Sequence, residues 1–179
     1  MFISDLPDEL KPPQRWFDFC HKRFLAAGDL KALYCMALKA KHIFEVGVGQ
    51  GYSTVTVLEA CKKTGGLLWS VDDDRSGKCE VAIRNVVRFG LKDYWFFRKA
   101  NILDYELRRK YDLIYVDITA NPEEWKKILP KLLSHLEDNG EVFVHAAKYD
   151  LPKMIEDVAG ISYNFKHYDD HLNCTIRRS

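Results

Sequence analysis

Three places in this chain hold residue types and spacings that do chemistry. The first is Glu45-Val46-Gly47-Val48-Gly49-Gln50-Gly51-Tyr52-Ser53, where alternating glycines join an apolar run to a helix-forming stretch. Glycines at such a turn let the main chain approach a ligand closely. The helix that follows offers free N–H groups and the positive end of its dipole. The second is Asp72, which closes Leu67–Val71 and heads three consecutive aspartates. An acid about 20 residues beyond a glycine turn is placed to accept hydrogen bonds from ribose hydroxyls. The third is His145, after the apolar run that starts at Glu141. An imidazole near its ordinary pKa of ~6.5 takes a proton from a hydroxyl or amine, so His145 is the candidate general base.

These residues need a scaffold, and the hydrophobic pattern predicts one. Strands are expected at 42–48, 67–71, 94–98, 113–116 and 141–145. Helices are expected at 53–63, 78–89 and 122–136, with Pro122 in a first turn, and a short helix at 151–159. Residues 1–40 read as a helical extension, with Gly28 ending its first helix. Strands alternating with helices imply βαβ crossovers and a mostly parallel sheet. Two last strands, near 162–167 and 173–177, flank Asp169-Asp170 too closely for a parallel crossover, so an antiparallel C-terminal hairpin is expected. Ligands of an open α/β sheet sit at the carboxyl ends of its strands, where the glycine turn, Asp72 and His145 all fall.

Composition limits the function classes. The chain has 179 residues, with 47% apolar residues and 30% charged residues. That is one domain with enough material for a full core. Its 27 basic and 26 acidic residues nearly cancel, which counts against a nucleic-acid-binding surface. The acidic, proline-containing start lacks the pattern of a signal peptide, and no run approaches a membrane span. Five widely spaced cysteines with no C-x-x-C argue against a disulfide framework or structural zinc and for a cytoplasmic location.

At this point the sequence resembles the class I S-adenosylmethionine-dependent methyltransferases, most closely their compact small-molecule O-methyltransferase branch. The resemblance rests on Glu45–Gly51, Asp72, Ala100-Asn101-Ile102 and Asp112–Asp117, and with the terminal hairpin it covers about residues 41–179. It implies a single domain over 1–179, of Rossmann-like, doubly wound α/β class, with a mostly parallel seven-stranded sheet. It implies that Gly47, Gly49 and Gly51 lie against the methionine part of S-adenosylmethionine, with Glu45 orienting its amino end. Asp72 would hold the ribose hydroxyls, Asn101 the adenine edge and Ile102 its ring. Asp117 would face the reacting centre, where S-adenosylhomocysteine is the product.

The chain also departs from the family. Metal-dependent members pair the acid after the fourth strand with Asp-Asn after the fifth; here that place reads His145-Ala146-Ala147. Magnesium needs several oxygen ligands, and Asp117 alone does not supply them, so no metal site is expected. Methyl transfer to an O or N of a small-molecule acceptor is the leading reading. A non-catalytic cofactor-binding or scaffold protein is the alternative. A nicotinamide oxidoreductase would need G-x-G-x-x-G, which Tyr52 breaks. A nucleic-acid methyltransferase would need an Asn-Pro-Pro-Tyr-like tetrad, which Asn121-Pro122 does not provide. Trp16, Phe17, Phe24 and Tyr34 are expected as core of the first two helices, or as a cover for the cofactor; exposed, they would permit a homodimer. No membrane partner is expected. Replacing Asp72 with alanine should weaken cofactor binding and spare the fold.

Overall fold

Alternation of side chains along the strands splits the interior into two cores on opposite faces of one sheet. In strand β1 (His42–Val46), Ile43 points to one core, while Phe44 and Val46 point to the other. The computed structural model describes residues 3–21, 27–118, 120–145, 163–167 and 174–178. Its remaining strands are β2 (Leu67–Asp72), β3 (Trp95–Lys99), β4 (Tyr111–Val116), β5 (Leu136–Val144), β6 (Tyr163–His167) and β7 (Cys174–Arg178). They lie in the order β3-β2-β1-β4-β5-β7-β6. The pairs β3–β2, β2–β1, β1–β4 and β4–β5 are parallel. Strand β7 runs antiparallel to both β5 and β6. The turn expected at Asp169-Asp170, the helix expected at 151–159 and Phe24 lie outside the described residues.

The helices are α1 (Gln14–His21), α2 (Ala27–Ala37), α3 (Tyr52–Thr64), α4 (Cys79–Phe89) and α5 (Pro122–Ser134). The first four share a core with Ile43, Leu68, Leu113, Tyr115 and Phe143. On the other face, Trp125, Ile128, Leu129, Leu132 and Leu133 of α5 cover Phe44, Ile114, Val116 and Val142. Helix α5 starts where Asn121 and Glu124 exchange side-chain-to-backbone bonds, each satisfying the other's N–H, with Pro122 in the first turn. Among the described residues no helix is long and apolar enough to cross a membrane.

Two local expectations are corrected. Gly28 does not end the first helix but lies in the first turn of α2, where a glycine costs little. Helix α5 stops at Ser134, and β5 already begins at Leu136, which is fully buried and pairs with Tyr111. Asn139-Gly140 therefore sits inside a strand irregularity: the register passes from Tyr111↔Leu136 directly to Leu113↔Glu141. The core reading holds for Trp16 and Tyr34. Trp16 is 1% exposed and donates its indole N–H to Thr56 Oγ1 at 3.0 Å, and the Tyr34 hydroxyl donates to the Leu10 carbonyl at 2.7 Å. Phe17 packs edge-on to Trp16.

Candidate functional site

A cleft of about 250 Å³ opens at the carboxyl ends of β1, β2 and β4. Its walls include Gly47, Gly49, Asp72, Asn101, Ile102 and Asp117, so six of the expected site residues meet in one place. Val46, Val71 and Ile128 supply an apolar floor, and Asp73 and Glu124 add further carboxylates. The site can therefore take a ligand with a flat apolar part, hydroxyls and a positive group.

The glycine turn is shaped by what lies behind it. Gly47 has φ +91°, and an added Cβ would meet the Asp117 carbonyl oxygen at 2.1 Å. Gly49 has φ +51° and open space around its missing side chain, so its main chain faces the cleft. Asp72 clamps the turn. Its Oδ2 accepts from Val48 N–H at 2.7 Å and Gly49 N–H at 3.0 Å, and its Oδ1 accepts from Asp74 N–H at 2.6 Å. Three of roughly four acceptor positions on a carboxylate are then used by the main chain, and the Cys79 thiol also hydrogen-bonds to Asp72. On the far wall, Asn101 Oδ1 accepts from Leu103 N–H, which leaves its side-chain NH2 as a donor. Lys131 donates its ammonium to the carbonyls of Ile102 and Leu103 and pins that wall from α5.

Three expected residues lie elsewhere. Gly51 sits under the turn: its φ is +83°, and a Cβ there would meet Ala82 at 2.9 Å, so it lets α3 pack on α4. Glu45 is fully buried behind the turn, because its position in β1 faces α3 rather than the cleft. Its carboxylate accepts from Ser53 Oγ, Thr54 Oγ1 and Ser70 Oγ at 2.7–2.9 Å. It joins β1, β2 and the start of α3 and is not among the residues that line the cleft. His145 ends β5 with its Nδ1 3.6 Å from Asp29 Oδ2 of α2, beside the cleft rather than in its wall. Lys131, Asp29 and the three hydroxyls around Glu45 are site-shaping residues that the sequence reading missed. Ser53 and Thr54, one residue past the last glycine, were the available signal, since a buried acid requires donors.

Burial pushes the Glu45 carboxyl up to about 7, against the pull of its three hydroxyl donors and with a small push from Asp117. The folded state then holds this proton more tightly than the unfolded chain between pH 4.5 and about 7. Stability contributed by the neutral acid is present below that window and lost as pH rises through it. Glu45→Gln, which stays neutral, should match the wild type near pH 5 and exceed it near pH 8 by about 2–3 kcal/mol. Urea denaturation at a series of pH values checks this; parallel profiles for the two proteins would show that Glu45 does not titrate in that range.

Among the described residues, no group of three or more His, Cys, Asp or Glu side chains is arranged to hold a metal ion. Comparison with known proteins then adds two findings. A family of sequences described as a methyltransferase domain matches residues 44–147, which span β1 to β5 and every wall of the cleft. The chain is also similar in fold to solved structures, all far apart in sequence. A Podospora anserina methyltransferase bound to S-adenosylhomocysteine superposes with TM-score 0.72 at 18% identity, over 97% of this chain and 89% of the other. A Bacillus cereus O-methyltransferase with the same ligand gives 0.69 at 14% identity, over 97% and 92%. A protein from Clostridium thermocellum described as a putative rRNA methylase gives 0.66 at 11% identity, over 84% and 97%. No curated protein matches the sequence.

Proposed function

This chain belongs to the methyltransferase domain family, and from that membership we propose that it transfers a methyl group from S-adenosylmethionine to an oxygen or nitrogen of a small-molecule acceptor, without a metal ion. The observation that carries this reading is the cleft where Gly47, Gly49, Asp72, Asn101, Ile102 and Asp117 converge. Its chemistry suits the cofactor: an apolar floor for adenine, carboxylates for a diol and a cationic amino group, and a turn with no side chain in the way. S-adenosylmethionine supplies a methyl group already activated by the positive sulfur. The protein's task is then mostly positioning, which can supply about 7–11 kcal/mol of barrier reduction.

The residues divide that task. Asp72 and its neighbour Asp73 accept from the ribose hydroxyls. The Asn101 amide donates to the adenine edge, and Ile102 packs on the ring. Gly47 and Gly49 admit the methionine part, whose ammonium group suits Asp117. Small-molecule transfer is favoured over RNA because charges in the chain nearly balance. Metal independence is favoured because His145 stands where the metal-dependent branch places its second carboxylate. A chelator should leave the rate unchanged.

His145 is the base in this reading; its Nδ1 lies 3.6 Å from Asp29 Oδ2, an ion-pair distance longer than a hydrogen bond. His145→Ala should lower the transfer rate about 10²–10⁴-fold, the usual worth of a placed base, and leave cofactor affinity unchanged. Single-turnover assays with a labelled methyl group, beside calorimetry on the same variant, check the pair; full activity would remove the base role. The reading as a whole is tested by titration with S-adenosylmethionine and S-adenosylhomocysteine, with NAD as control, followed by an acceptor screen. Binding without turnover on any acceptor would favour the non-catalytic alternative.

A further inference from the structure

Strand β3 forms one edge of the sheet. Its sequence, Trp95-Phe96-Phe97-Arg98-Lys99, is aromatic in its first half and cationic in its second. Ala100 N–H donates to the Asp72 carbonyl of β2. Because N–H and C=O groups alternate sides along a strand, Phe96 and Arg98 also address β2, and Phe97 and Lys99 turn theirs outward, as does the Trp95 carbonyl, while the Trp95 N–H donates to the Lys92 carbonyl. Among the described residues no strand pairs with that outer edge. Open edges are normally blunted by charge, proline or a covering element. Here the charges lie at one end only, and Phe96 is 49% exposed.

We propose that the outer edge of β3 pairs antiparallel with β3 of a second copy of this chain, with a two-fold axis at Phe97. Reversed against itself, the strand is complementary: Phe97 meets Phe97, Phe96 meets Arg98 and Trp95 meets Lys99 of the other copy. The N–H and C=O of Phe97 then find those of the other Phe97, and the Lys99 N–H finds the Trp95 carbonyl, across the axis; the Trp95 N–H stays with the Lys92 carbonyl. Phe96 and Arg98 fall in the non-hydrogen-bonded pair, where side chains approach more closely. Phe96 already stacks on Trp69 at 5.2 Å, and the Arg109 guanidinium covers Trp69 at 4.1 Å. The incoming Arg98 would cover the free side of Phe96, so a cation closes both ends of the aromatic row. A parallel pairing would set Arg98 on Arg98, so the charges select the antiparallel, closed arrangement. The seam runs along the side of the sheet and leaves the cleft at the strand ends open.

Five residues make a small interface, so association in about the 10–100 µM range is expected rather than an obligate dimer. Sedimentation equilibrium on the full chain reads it. Two variants test the seam. Phe97→Pro removes an outward N–H that β2 does not use, and Phe97→Asp sets like charges on the axis. Each should raise the dimer dissociation constant at least about tenfold, with unchanged far-ultraviolet circular dichroism and melting. A monomer at every concentration overturns the proposal, as does a dimer that both variants leave intact. A monomer that binds single-stranded RNA through Phe96, and loses it in Phe96→Ala, would assign this edge to nucleic acid and overturns it too.

Discussion

Gly47→Ala should destabilise the protein by about 2–6 kcal/mol and abolish cofactor binding, whereas Gly49→Ala should keep the fold and lose only binding. Both glycines have positive φ, yet their surroundings differ. At Gly47 the new methyl would stand 2.1 Å from the Asp117 carbonyl oxygen and 2.9 Å from the Ile118 side chain. The carbonyl belongs to the backbone just after β4, which is held to β1 by the bond from Asp117 N–H to the Val46 carbonyl. It cannot yield without breaking that bond. Overpacking of this kind costs about 1–3 kcal/mol, and forcing φ near +91° on alanine adds about 1–3 kcal/mol more. At Gly49, φ is +51°, inside the small left-handed region that alanine can enter, and nothing lies within 4 Å. Its methyl would project where the ligand's methionine part is proposed to lie. Thermal melting and calorimetric titration of the two variants separate the effects. Equal stability loss in both would mean that the close approach at Gly47 does not set the turn.

The contrast between these glycines marks where the sequence is readable and where it is not. Spacing and flanks placed the turn, and the acid closing the second strand placed Asp72, because both signals are local. Convergence of Asn101, Ile102 and Asp117 on the same cleft followed from a simple rule: they end or follow parallel strands, and parallel strands end on one side. Direction was not readable. Glu45 precedes the turn by two residues, and only strand alternation decides whether it faces the cleft or α3. Gly51 belongs to the same run as Gly49, yet its partner is Ala82, far along the chain in α4. His145 could be named, but Asp29 could not, since their meeting depends on how α2 lies against the end of β5. The strand irregularity at Asn139-Gly140 imitated a helix stop because that dipeptide is a turn signal wherever it occurs; Leu136, buried at the base of β5, was the residue that argued otherwise.

Asp72 carries the second large effect, and the structure changes the expected outcome. As a ligand acceptor alone, its loss would weaken binding and spare the fold. Its carboxylate instead holds three backbone N–H groups, two of them in the glycine turn. Hydrogen bonds to a charged group are worth about 1.5–3 kcal/mol each, less in sum when they share one carboxylate. Asp72→Ala should therefore cost about 2–4 kcal/mol of stability and weaken binding of S-adenosylhomocysteine about 10–100-fold. Asp72→Asn is the sharper test. An asparagine oxygen can serve either the Val48 and Gly49 N–H pair or the Asp74 N–H, and its NH2 must then face the other as donor against donor. A residue that only touched a ribose would tolerate this change, because an amide oxygen still accepts from a hydroxyl. A residue that clamps the turn would not. Asp72→Asn should thus lose nearly as much stability and affinity as Asp72→Ala. Chemical denaturation beside calorimetry decides it: an asparagine variant close to wild type in both would assign Asp72 to the ligand alone and leave the turn to hold itself.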